Sequence, residues 1–334
     1  MTDRILDTLK GDRKLFLDAI PQVPQGRYVH YVLVRETESF PLFQTDGTLN
    51  VIRMQAGLKR EEIISRLVLF KRKQSSPERL VGREWLRAYG LIADSGELAC
   101  DYNSEHFCKH CPDCILYGYA IGSEGAEKSK VYVDSAFSIT PYEESHKAFS
   151  FNALYEHGTM TQKGETRPSF GEQDHVVPQV FFPSVVTLRD PTYEGFLYVL
   201  GNLLRTDRYG AQDSRTGRVH NHLIAVCFAD GEVFSNLRFT QALYDELQDR
   251  GAWSEPLDRA KVLEAARAVC DRLIADEPVS RPRQLTGAEA EQLRWEATQL
   301  FQDEERTRNL LKALNEATTK YAADYGATKS SKGR

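Results

Sequence analysis

The chain has 334 residues, a mass of 38.0 kDa and a formal net charge of −5 at pH 7. This length can bury a large core, and because no run of about 18 apolar residues occurs, we expect no helix that crosses a membrane. The first residues, MTDRILDTLKGDRK, lack the apolar middle of a signal peptide. We therefore expect a cytoplasmic protein whose cysteines stay reduced.

Strand and helix patterns alternate in the first third of the chain. Residues 1–20 predict a short helix, and residues 27–35, which alternate β-branched and aromatic side chains, predict a strand. Residues 58–70 predict a helix that carries basic side chains. Ser76 and Pro77 then predict the start of another helix, because Ser is a frequent N-cap and Pro fits the first helical turn.

After a cysteine-rich segment the pattern becomes mainly that of strands. Strands are predicted at residues 130–134, 149–152, 180–188 and 219–228, and a helix at residues 194–204. The Gly-rich, polar residues 155–180 indicate a projecting hairpin, because a long loop inside a domain usually has a function. From about residue 239 the pattern is helical. The whole predicts an α+β core with large insertions and a helical C-terminal third.

Four of the six cysteines, Cys100, Cys108, Cys111 and Cys114, lie within one short segment. Clustered thiols in a reducing compartment are more often metal ligands than disulfides, and the spacing Cys-x7-Cys-x2-Cys-x2-Cys can supply the four ligands of a tetrahedral Zn²⁺. A site filled by four protein ligands has no open position, so we expect a structural metal. His106 or His110 could replace one cysteine, most readily Cys100. The alternative is a set of reduced thiols that binds no metal.

Charge is distributed unevenly along the chain. Nine Lys and Arg residues lie between residues 59 and 87 against four acids, whereas acids dominate residues 245–305. A phosphate backbone is bound by several Lys or Arg side chains at regular reach, so the basic segment is a candidate polyanion-binding face. The alternative is a solvated helix face that binds nothing.

Candidates for catalysis are few. The sequence contains no HExxH, GxSxG or GxGxxG motif, and the histidines are scattered. His220 and His222 lie on the same side of a predicted strand, which could suit a metal, but no third ligand is evident nearby. The Gly- and Arg-rich loop with Arg208, Arg215 and Arg218 could cradle a phosphate, although it lacks the Gly-Lys-Ser/Thr of a P-loop.

The order of these segments resembles a known family. The run CPDC that ends at Cys114 leads into Leu116-Tyr117-Gly118, and the run SKVYVDSA begins at Ser129. Over roughly residues 27–245 this pattern is similar to the RAMP superfamily of CRISPR systems, and specifically to the backbone subunit of the type I-D Cascade complex. Lys130 stands where many relatives have Arg, a change that preserves the charge.

The resemblance implies an α+β fold with an RNA-recognition-motif (ferredoxin-like) core. That core, with its insertions, would span residues 1–245. The insertions would be a helical and zinc-binding lobe at about residues 55–120 and a β-hairpin thumb at about residues 152–180. A helical C-terminal region would follow at residues 246–325, and a disordered basic tail at residues 326–334.

The resemblance also implies a function in antiviral defence. Such subunits polymerise along a CRISPR guide RNA (crRNA) and hold it for pairing with a target DNA strand, beside a 5′-end cap subunit, a large nuclease-bearing subunit and small subunits. Thr159 and Met160 at the thumb would wedge beside a kinked nucleotide. Contacts to the RNA backbone would come from Lys71, Lys73, Arg79, Arg83, Ser129, Lys130, Arg208 and Arg215. Sequence information sits in the guide, so the protein reads phosphate and shape.

Two further hypotheses remain open. Type III relatives cleave target RNA with an Asp after the first strand, and Asp46 lies in a comparable loop, but its surroundings, FQTDGTLNV, do not match. We therefore expect no nuclease activity; the alternative is a metal-dependent endoribonuclease that uses Asp46 or the pair His220 and His222. A third hypothesis is a zinc-stabilised protein-interaction module that never contacts RNA.

Overall fold

The computed structural model describes residues 5–122, 125–152, 154–156, 158–163, 165–166, 170–212, 214 and 217–326. The strands are β1 (Tyr28–Thr37), β2 (Gln44–Thr45), β3 (Thr48–Leu49), β4 (Val51–Gln55), β5 (Ile63–Leu69), β6 (Tyr119–Ile121), β7 (Gly125–Glu127), β8 (Val131–Val133), β9 (Ala136–Phe137), β10 (His146–Asn152), β11 (Thr161–Gln162), β12 (Glu165–Thr166), β13 (Phe170–Val176), β14 (Phe181–Arg189), β15 (Val219–Ala229) and β16 (Arg283–Thr286). The helices are α1 (Lys71–Ala88), α2 (Pro112–Tyr117), α3 (Tyr142–Ser145), α4 (Tyr193–Arg205), α5 (Asn236–Asp249), α6 (Arg259–Asp276), α7 (Gly287–Gln302) and α8 (Glu304–Tyr325), with 3-10 helices at Asp7–Leu15 and Gly96–Leu98. The mixed content confirms the predicted α+β class.

A five-stranded antiparallel sheet forms the centre of the molecule, with the strand order β16-β15-β1-β14-β8. The predicted strands and helix at β1, β8, β14, α4 and β15 are confirmed, with bounds that shift by one or two residues. In chain order α1 lies between β1 and β8, and α4 lies between β14 and β15. The long central strands are therefore brought together across large sequence separations.

Helices cover both faces of this sheet. On one face, Tyr31 and Leu33 of β1 belong to a cluster of buried residues that also includes side chains of α1, α4, α7 and α8. On the other face, Val32 and Val34 belong to a cluster that includes side chains of α5 and α6. Alternate residues of one strand point to opposite faces, so β1 is buried along nearly its whole length.

Within residues 58–70, where the sequence predicts a helix, residues 63–69 form a strand. Ile63–Leu69 pairs with Val51–Gln55, and its end also pairs with β9. β-Branched side chains favour the pleated surface of a sheet, which explains the strand. Helix α1 then begins at Lys71 instead of Ser76, and Pro77 lies inside it. The prediction of a helix start at Ser76 is therefore wrong. The helix starts five residues earlier, at a position without a side-chain cap.

A hairpin of β10 and β13 projects from this core. Its arms pair from His146 with Val176 to Asn152 with Phe170, and β11 and β12 pair beyond them. The paired arms therefore begin before the predicted thumb boundary at residue 152. Residues 153, 157, 164 and 167–169 lie outside the described residues.

The C-terminal third is helical except at Arg283–Thr286, which adds the edge strand β16 to the main sheet. The sequence pattern predicts two helical regions separated by Pro278 and Pro282, and it does not predict the short strand that follows this break. Beyond Gly326, the predicted basic tail lies outside the described residues. Among the helices that the structure describes, none has the length and apolarity needed to cross a bilayer.

Candidate metal centre and nucleic-acid interface

The sulfurs of the four clustered cysteines lie at the corners of a tetrahedron. Cys100 Sγ is 3.9 Å from Cys111 Sγ and 3.7 Å from Cys114 Sγ, and Cys108 Sγ is 3.8 Å from Cys114 Sγ. A tetrahedral Zn²⁺ with Zn–S bonds of about 2.3 Å has S···S edges of about 3.8 Å, whereas a disulfide S–S bond measures about 2.05 Å. The spacing of the sulfurs fits a metal and does not fit a disulfide.

The structure brings Cys100 to the site as the fourth sulfur. All four ligand atoms lie within 4.8 Å of one another, and in the described part of the chain they are the sole such group of three or more Cys, His, Asp or Glu side chains. His110 instead hydrogen-bonds the Cys108 sulfur from outside the group, and this contact raises the pKa of His110. His106 is joined to the segment through its backbone oxygen, which accepts from the Asp101 amide.

The four sulfurs accept hydrogen bonds from backbone amides and from one another. The amides of Cys108 and Cys111 donate to sulfurs at 3.3 Å. The hydrogen bond with Cys100 is the largest cause that lowers the pKa of the Cys108 thiol. A hydrogen bond with Cys100 is also the largest cause that raises the pKa of the Cys111 thiol. The two amide donors favour thiolates at Cys100 and Cys108, and the thiolate is the form that binds metal.

The segment after the cysteines anchors the site to the main core. Cys111 precedes α2 and Pro112 takes its first position, where the missing amide proton costs nothing. Leu116 is buried in the same cluster as the sheet and α4. Gly118 has φ of +78°, and a Cβ there would lie 2.5 Å from the Glu127 carbonyl oxygen, so only glycine fits.

Arg79 and Arg83 lie inside the protein, although the sequence predicts that they contact RNA. Arg79 holds both carboxylate oxygens of Asp113 at 2.8 and 2.9 Å, and Arg83 donates to Asp113 at 2.9 Å. The side chain of Arg83 is fully buried and that of Arg79 is 13% exposed. Burial lowers the pKa of both guanidinium groups, but Asp113, and for Arg83 also Cys100, outweigh it and the net pKa is raised. Because its side chain is fully buried, Arg83 has no accessible surface for a phosphate.

Ser129 and Lys130 also make internal contacts. Lys130 Nζ donates to Glu127 at 2.7 Å and to the Ile115 carbonyl at 3.1 Å, and lies over the ring of Tyr321 in α8. Burial lowers the pKa of Lys130. The Ser129 hydroxyl donates to the Val131 carbonyl at 2.6 Å. Lys130 therefore joins the cysteine segment to the C-terminal helix, and its side chain is only 8% exposed.

The first turn of α1 carries exposed positive charge at an unusual place. Lys71 and Arg72 are exposed and Lys73 is half-buried, no acidic residue lies in that turn, and no side chain caps it. Cations at a helix N-terminus oppose the positive end of the helix dipole, whereas an anion there is stabilised. A phosphate bound at Lys71 and Lys73 would therefore offset the repulsion between these cations and the positive end of the helix dipole.

A groove that contains two arginines, of which Arg218 pairs with Asp207, lies at the base of the hairpin. The groove of about 990 Å³ is lined by Ser39, Phe40, Gly47, Phe149, Glu172, Gln173, His175, Arg208, Gln212, Gly217 and Arg218. Phe149 packs edge-on against Phe40 at 5.0 Å and His175 at 5.4 Å. No sequence motif indicated these aromatic residues, because three separate segments supply them. Arg215 lies outside the described residues.

Thr159 and Met160 lie in the outer part of the hairpin. Thr159 is exposed and Met160 half-buried, and the Thr159 carbonyl accepts from the Tyr155 amide at 2.9 Å. The Thr159 hydroxyl donates to the Thr161 carbonyl at 3.1 Å. The predicted wedge residues thus belong to a turn that is held by its own hydrogen bonds and remains accessible.

The residues of the nuclease hypothesis have structural partners. Asp46 and Gly47, with φ of 53° and 85°, form a two-residue turn between β2 and β3, as an Asp-Gly pair often does. His222 pairs with Glu36 at 2.8 Å, a third side chain that the sequence did not indicate. Arg259 donates to the same Glu36 oxygen at 2.6 Å. His222 and Arg259 therefore share one carboxylate oxygen of Glu36.

Comparison with known families places the chain among CRISPR-associated proteins, because a family model described as "Csc2 Crispr" matches residues 15–311. The chain belongs to the Csc2 family. The crystal structure of Thermofilum pendens Csc2 has a TM-score of 0.62 at 15% identity, covering 96% of this chain and 99% of that chain, so the two share a fold. Chains titled CRISPR RNA-guided surveillance complex (TM-score 0.44, 11% identity, covering 87% and 99%) and Type IV-B CRISPR Complex (TM-score 0.39, 12% identity, covering 59% and 90%) are more distant. No curated protein matches.

Proposed function

We propose that this protein is a non-catalytic, crRNA-binding backbone subunit of a type I-D CRISPR interference complex. Copies of it would polymerise along the guide and present it to a target DNA strand, together with the cap, large and small subunits of Cascade. Membership of the Csc2 family over residues 15–311 is the observation that carries this proposal. The exposed cations at α1 and at the groove, in a chain of net charge −5, support a local polyanion-binding surface.

We assign the core to the ferredoxin-like, RNA-recognition-motif class. Along the chain, β1-α1-β8-β14-α4-β15 form a βαββαβ unit, so β1, β8, β14 and β15 are core strands 1, 2, 3 and 4. In the sheet these strands lie in the order β15-β1-β14-β8, which is 4-1-3-2. RNA-recognition motifs stack bases on the sheet face opposite their two helices. In this chain α5 and α6 cover that face at the central strands. The RNA contacts proposed here therefore lie outside the covered sheet.

Of the residues predicted to contact RNA, we keep those whose side chains are exposed or half-buried, apart from Arg79 and Ser129, whose described contacts lie inside the protein. Lys71, Lys73, Arg208, Thr159 and Met160 have accessible side chains and keep their proposed roles, and Arg215 keeps its role by resemblance. Arg79, Arg83 and Lys130 instead hold the cysteine segment against α1 and α8. Ser129 uses its hydroxyl internally. The proposed interface is thus the start of α1, the groove loop and the hairpin turn.

We propose that the four cysteines hold a structural Zn²⁺. Four thiolates in a tetrahedron complete the coordination of this ion, which leaves no position for substrate. Three of them, Cys100, Cys111 and Cys114, are fully buried in the cluster that includes the main sheet. The metal would therefore stabilise the core itself.

Salt dependence tests the RNA-binding surface. The affinity of the protein for single-stranded RNA of guide length should fall steeply with salt. A plot of the logarithm of the binding constant against the logarithm of the salt concentration should have a slope of about −0.7 for each phosphate contact. In the double variant Lys71→Ala/Lys73→Ala we expect the slope to become shallower by about 1.4, because two contacts are lost. Filter binding or fluorescence anisotropy across about 50–200 mM salt measures both quantities.

The control for this variant removes the same charge elsewhere. Lys312 and Lys320 are exposed on α8, and the variant Lys312→Ala/Lys320→Ala should keep the wild-type slope. An equal change in both double variants would show that net charge alone matters and would overturn the assignment to α1. Absence of salt-dependent RNA binding in the wild type would favour the protein-interaction module.

The proposal of a non-catalytic subunit predicts no cleavage of RNA. Purified protein incubated with labelled RNA and Mg²⁺ should leave the strand intact. Asp46 lies in a turn between β2 and β3, and the Glu36 oxygen that pairs with His222 also accepts a hydrogen bond from Arg259. The variant Asp46→Ala should behave like the wild type in gel assays. Cleavage by the wild type that is lost in Asp46→Ala would establish the endoribonuclease instead.

A further inference from the structure

Arg83 connects helix α1 to a sulfur of the candidate metal centre. Its Nη1 donates to the Cys100 sulfur at 3.4 Å and to Asp113 Oδ2 at 2.9 Å, and Nη2 donates to the Cys100 carbonyl. The Arg83 side chain is fully buried. A buried cation in contact with a sulfur offsets negative charge on that sulfur.

Arg79 shows that Arg83 is not required as the partner of Asp113. One turn earlier in α1, Arg79 Nε and Nη2 hold the two Asp113 oxygens at 2.8 and 2.9 Å, and Nη2 also donates to the Gly118 carbonyl at 2.9 Å. The Asp113 carboxylate is therefore paired without Arg83. Arg83 differs from Arg79 in its contacts to Cys100, and among these the hydrogen bond to the Cys100 sulfur is the one that reaches a candidate metal ligand.

Charge balance gives that contact a role. A divalent ion with four thiolates carries two excess negative charges, and here these charges would lie in a site with three fully buried cysteines. Uncompensated charge in the protein interior is costly, and groups that hydrogen-bond metal ligands commonly tune metal affinity.

We propose that Arg83 is a positioning residue for the metal. Its hydrogen bond to the Cys100 sulfur offsets the excess negative charge of the four-thiolate centre and raises the affinity of that centre for a divalent cation. This inference rests on the proposed metal site. It also explains why a cation of the basic segment is directed inward, towards the cysteines, instead of outward to a polyanion.

The test is metal binding by the full chain carrying Arg83→Gln. Titration with Co²⁺ and Zn²⁺ against a competing chelator should give affinities about 10–100-fold weaker than those of the wild type. The sulfur-to-Co²⁺ charge-transfer band should also move to longer wavelength, because a thiolate without its hydrogen bond gives up electron density more readily. A purely structural role would not move this band.

Arg79→Gln is the matched control, because it removes the two bonds from the same helix to Asp113 and one to the Gly118 carbonyl, but no bond to sulfur. Its Co²⁺ band should stay at the wild-type wavelength, with a smaller loss of affinity. Arg83→Lys retains the buried cation with fewer donors, so its affinity should lie between those of the wild type and Arg83→Gln. This variant also serves if Arg83→Gln fails to fold.

The outcomes separate the two proposals. If the wild type shows a four-thiolate Co²⁺ spectrum while Arg83→Gln and Arg83→Lys match it in affinity and wavelength, the role of Arg83 is refuted and the metal site stands. If Arg79→Gln shifts the band as much as Arg83→Gln, the sulfur contact is not the cause. If the wild type binds neither metal, the metal site itself is refuted.

Discussion

Cys111→Ser is expected to lower the free energy of unfolding by at least about 3 kcal/mol and the melting temperature by roughly 10 °C. Cys111 is fully buried, and its sulfur lies 3.9 Å from that of Cys100. A serine would remove one of four metal ligands and place a hydroxyl among the remaining sulfurs. Thermal and urea unfolding, with zinc content measured by mass spectrometry or a colorimetric chelator, check both effects.

A control for this variant uses a cysteine outside the cluster. Cys270 is buried among the side chains of α5 and α6 and belongs to the cluster on the other sheet face. Cys270→Ala should keep one equivalent of zinc and lose much less stability. Unchanged melting in Cys111→Ser, together with lost RNA binding, would contradict a structural metal. Equal melting of wild-type protein with and without a strong chelator would contradict it as well.

Local patterns in the sequence were sufficient to predict the elements of the central sheet. The strand predicted at residues 27–35 corresponds to Tyr28–Thr37, and the helix predicted at residues 194–204 corresponds to Tyr193–Arg205. Both segments are apolar over most of their length and end at residues with turn or cap preferences. The cysteine spacing likewise predicted that the thiols gather, and the structure shows that Cys100 joins them.

Partners distant in sequence decided the points where the sequence failed. Strand β5 (residues 63–69) pairs with the neighbouring β4 and, at its end, with the distant β9. In that strand Arg66 is fully buried and donates to the Ser138 carbonyl at 2.5 Å, a contact that no local pattern encodes. The same applies to Arg83, whose charge suggested an outward face. A basic run in a sequence therefore does not show which cations are exposed.

The groove at the hairpin base illustrates a second kind of limit. Phe40 follows β1, Phe149 is in β10 and His175 is in β13, and these rings come together only through the hairpin register. Each residue alone is an ordinary aromatic residue of a strand or loop. The start of α1, where the basic residues are contiguous, and Arg208 of the groove loop were therefore predicted as RNA contacts, but the aromatic residues of the groove were not.

The second large effect is expected at the buried pair of Arg35 and Glu78. Arg35 Nη2 lies 2.9 Å from the Glu78 carboxylate, and both side chains are fully buried. Arg35 Nη1 also donates to the Tyr209 hydroxyl and to Asn221 Oδ1, each at 2.8 Å. The pair thus joins β1, α1 and β15 to the loop that carries Arg208, one of the proposed RNA contacts.

Arg35→Met should lower the free energy of unfolding by about 3–5 kcal/mol, because it leaves Glu78 buried without its cation. The double variant Arg35→Met/Glu78→Met should recover most of this loss, since apolar side chains of similar volume can replace a buried ion pair at little cost. Urea unfolding of the two single variants and the double variant gives the coupling energy directly. A double variant as unstable as Arg35→Met would show that packing, and not the unpaired charge, causes the loss.

The loss in Arg35→Met should also depend on pH. Burial raises the pKa of Glu78 above 4.5, and Arg35 opposes that rise, so removing Arg35 raises the pKa further. A carboxyl whose pKa is raised by folding favours the folded state at low pH, and this advantage is lost as pH rises from 4.5 through the folded pKa. The deficit relative to the wild type should therefore be smaller at about pH 4 than at about pH 7. The double variant lacks the carboxyl and should show no such difference; if it shows the same trend, another group is responsible.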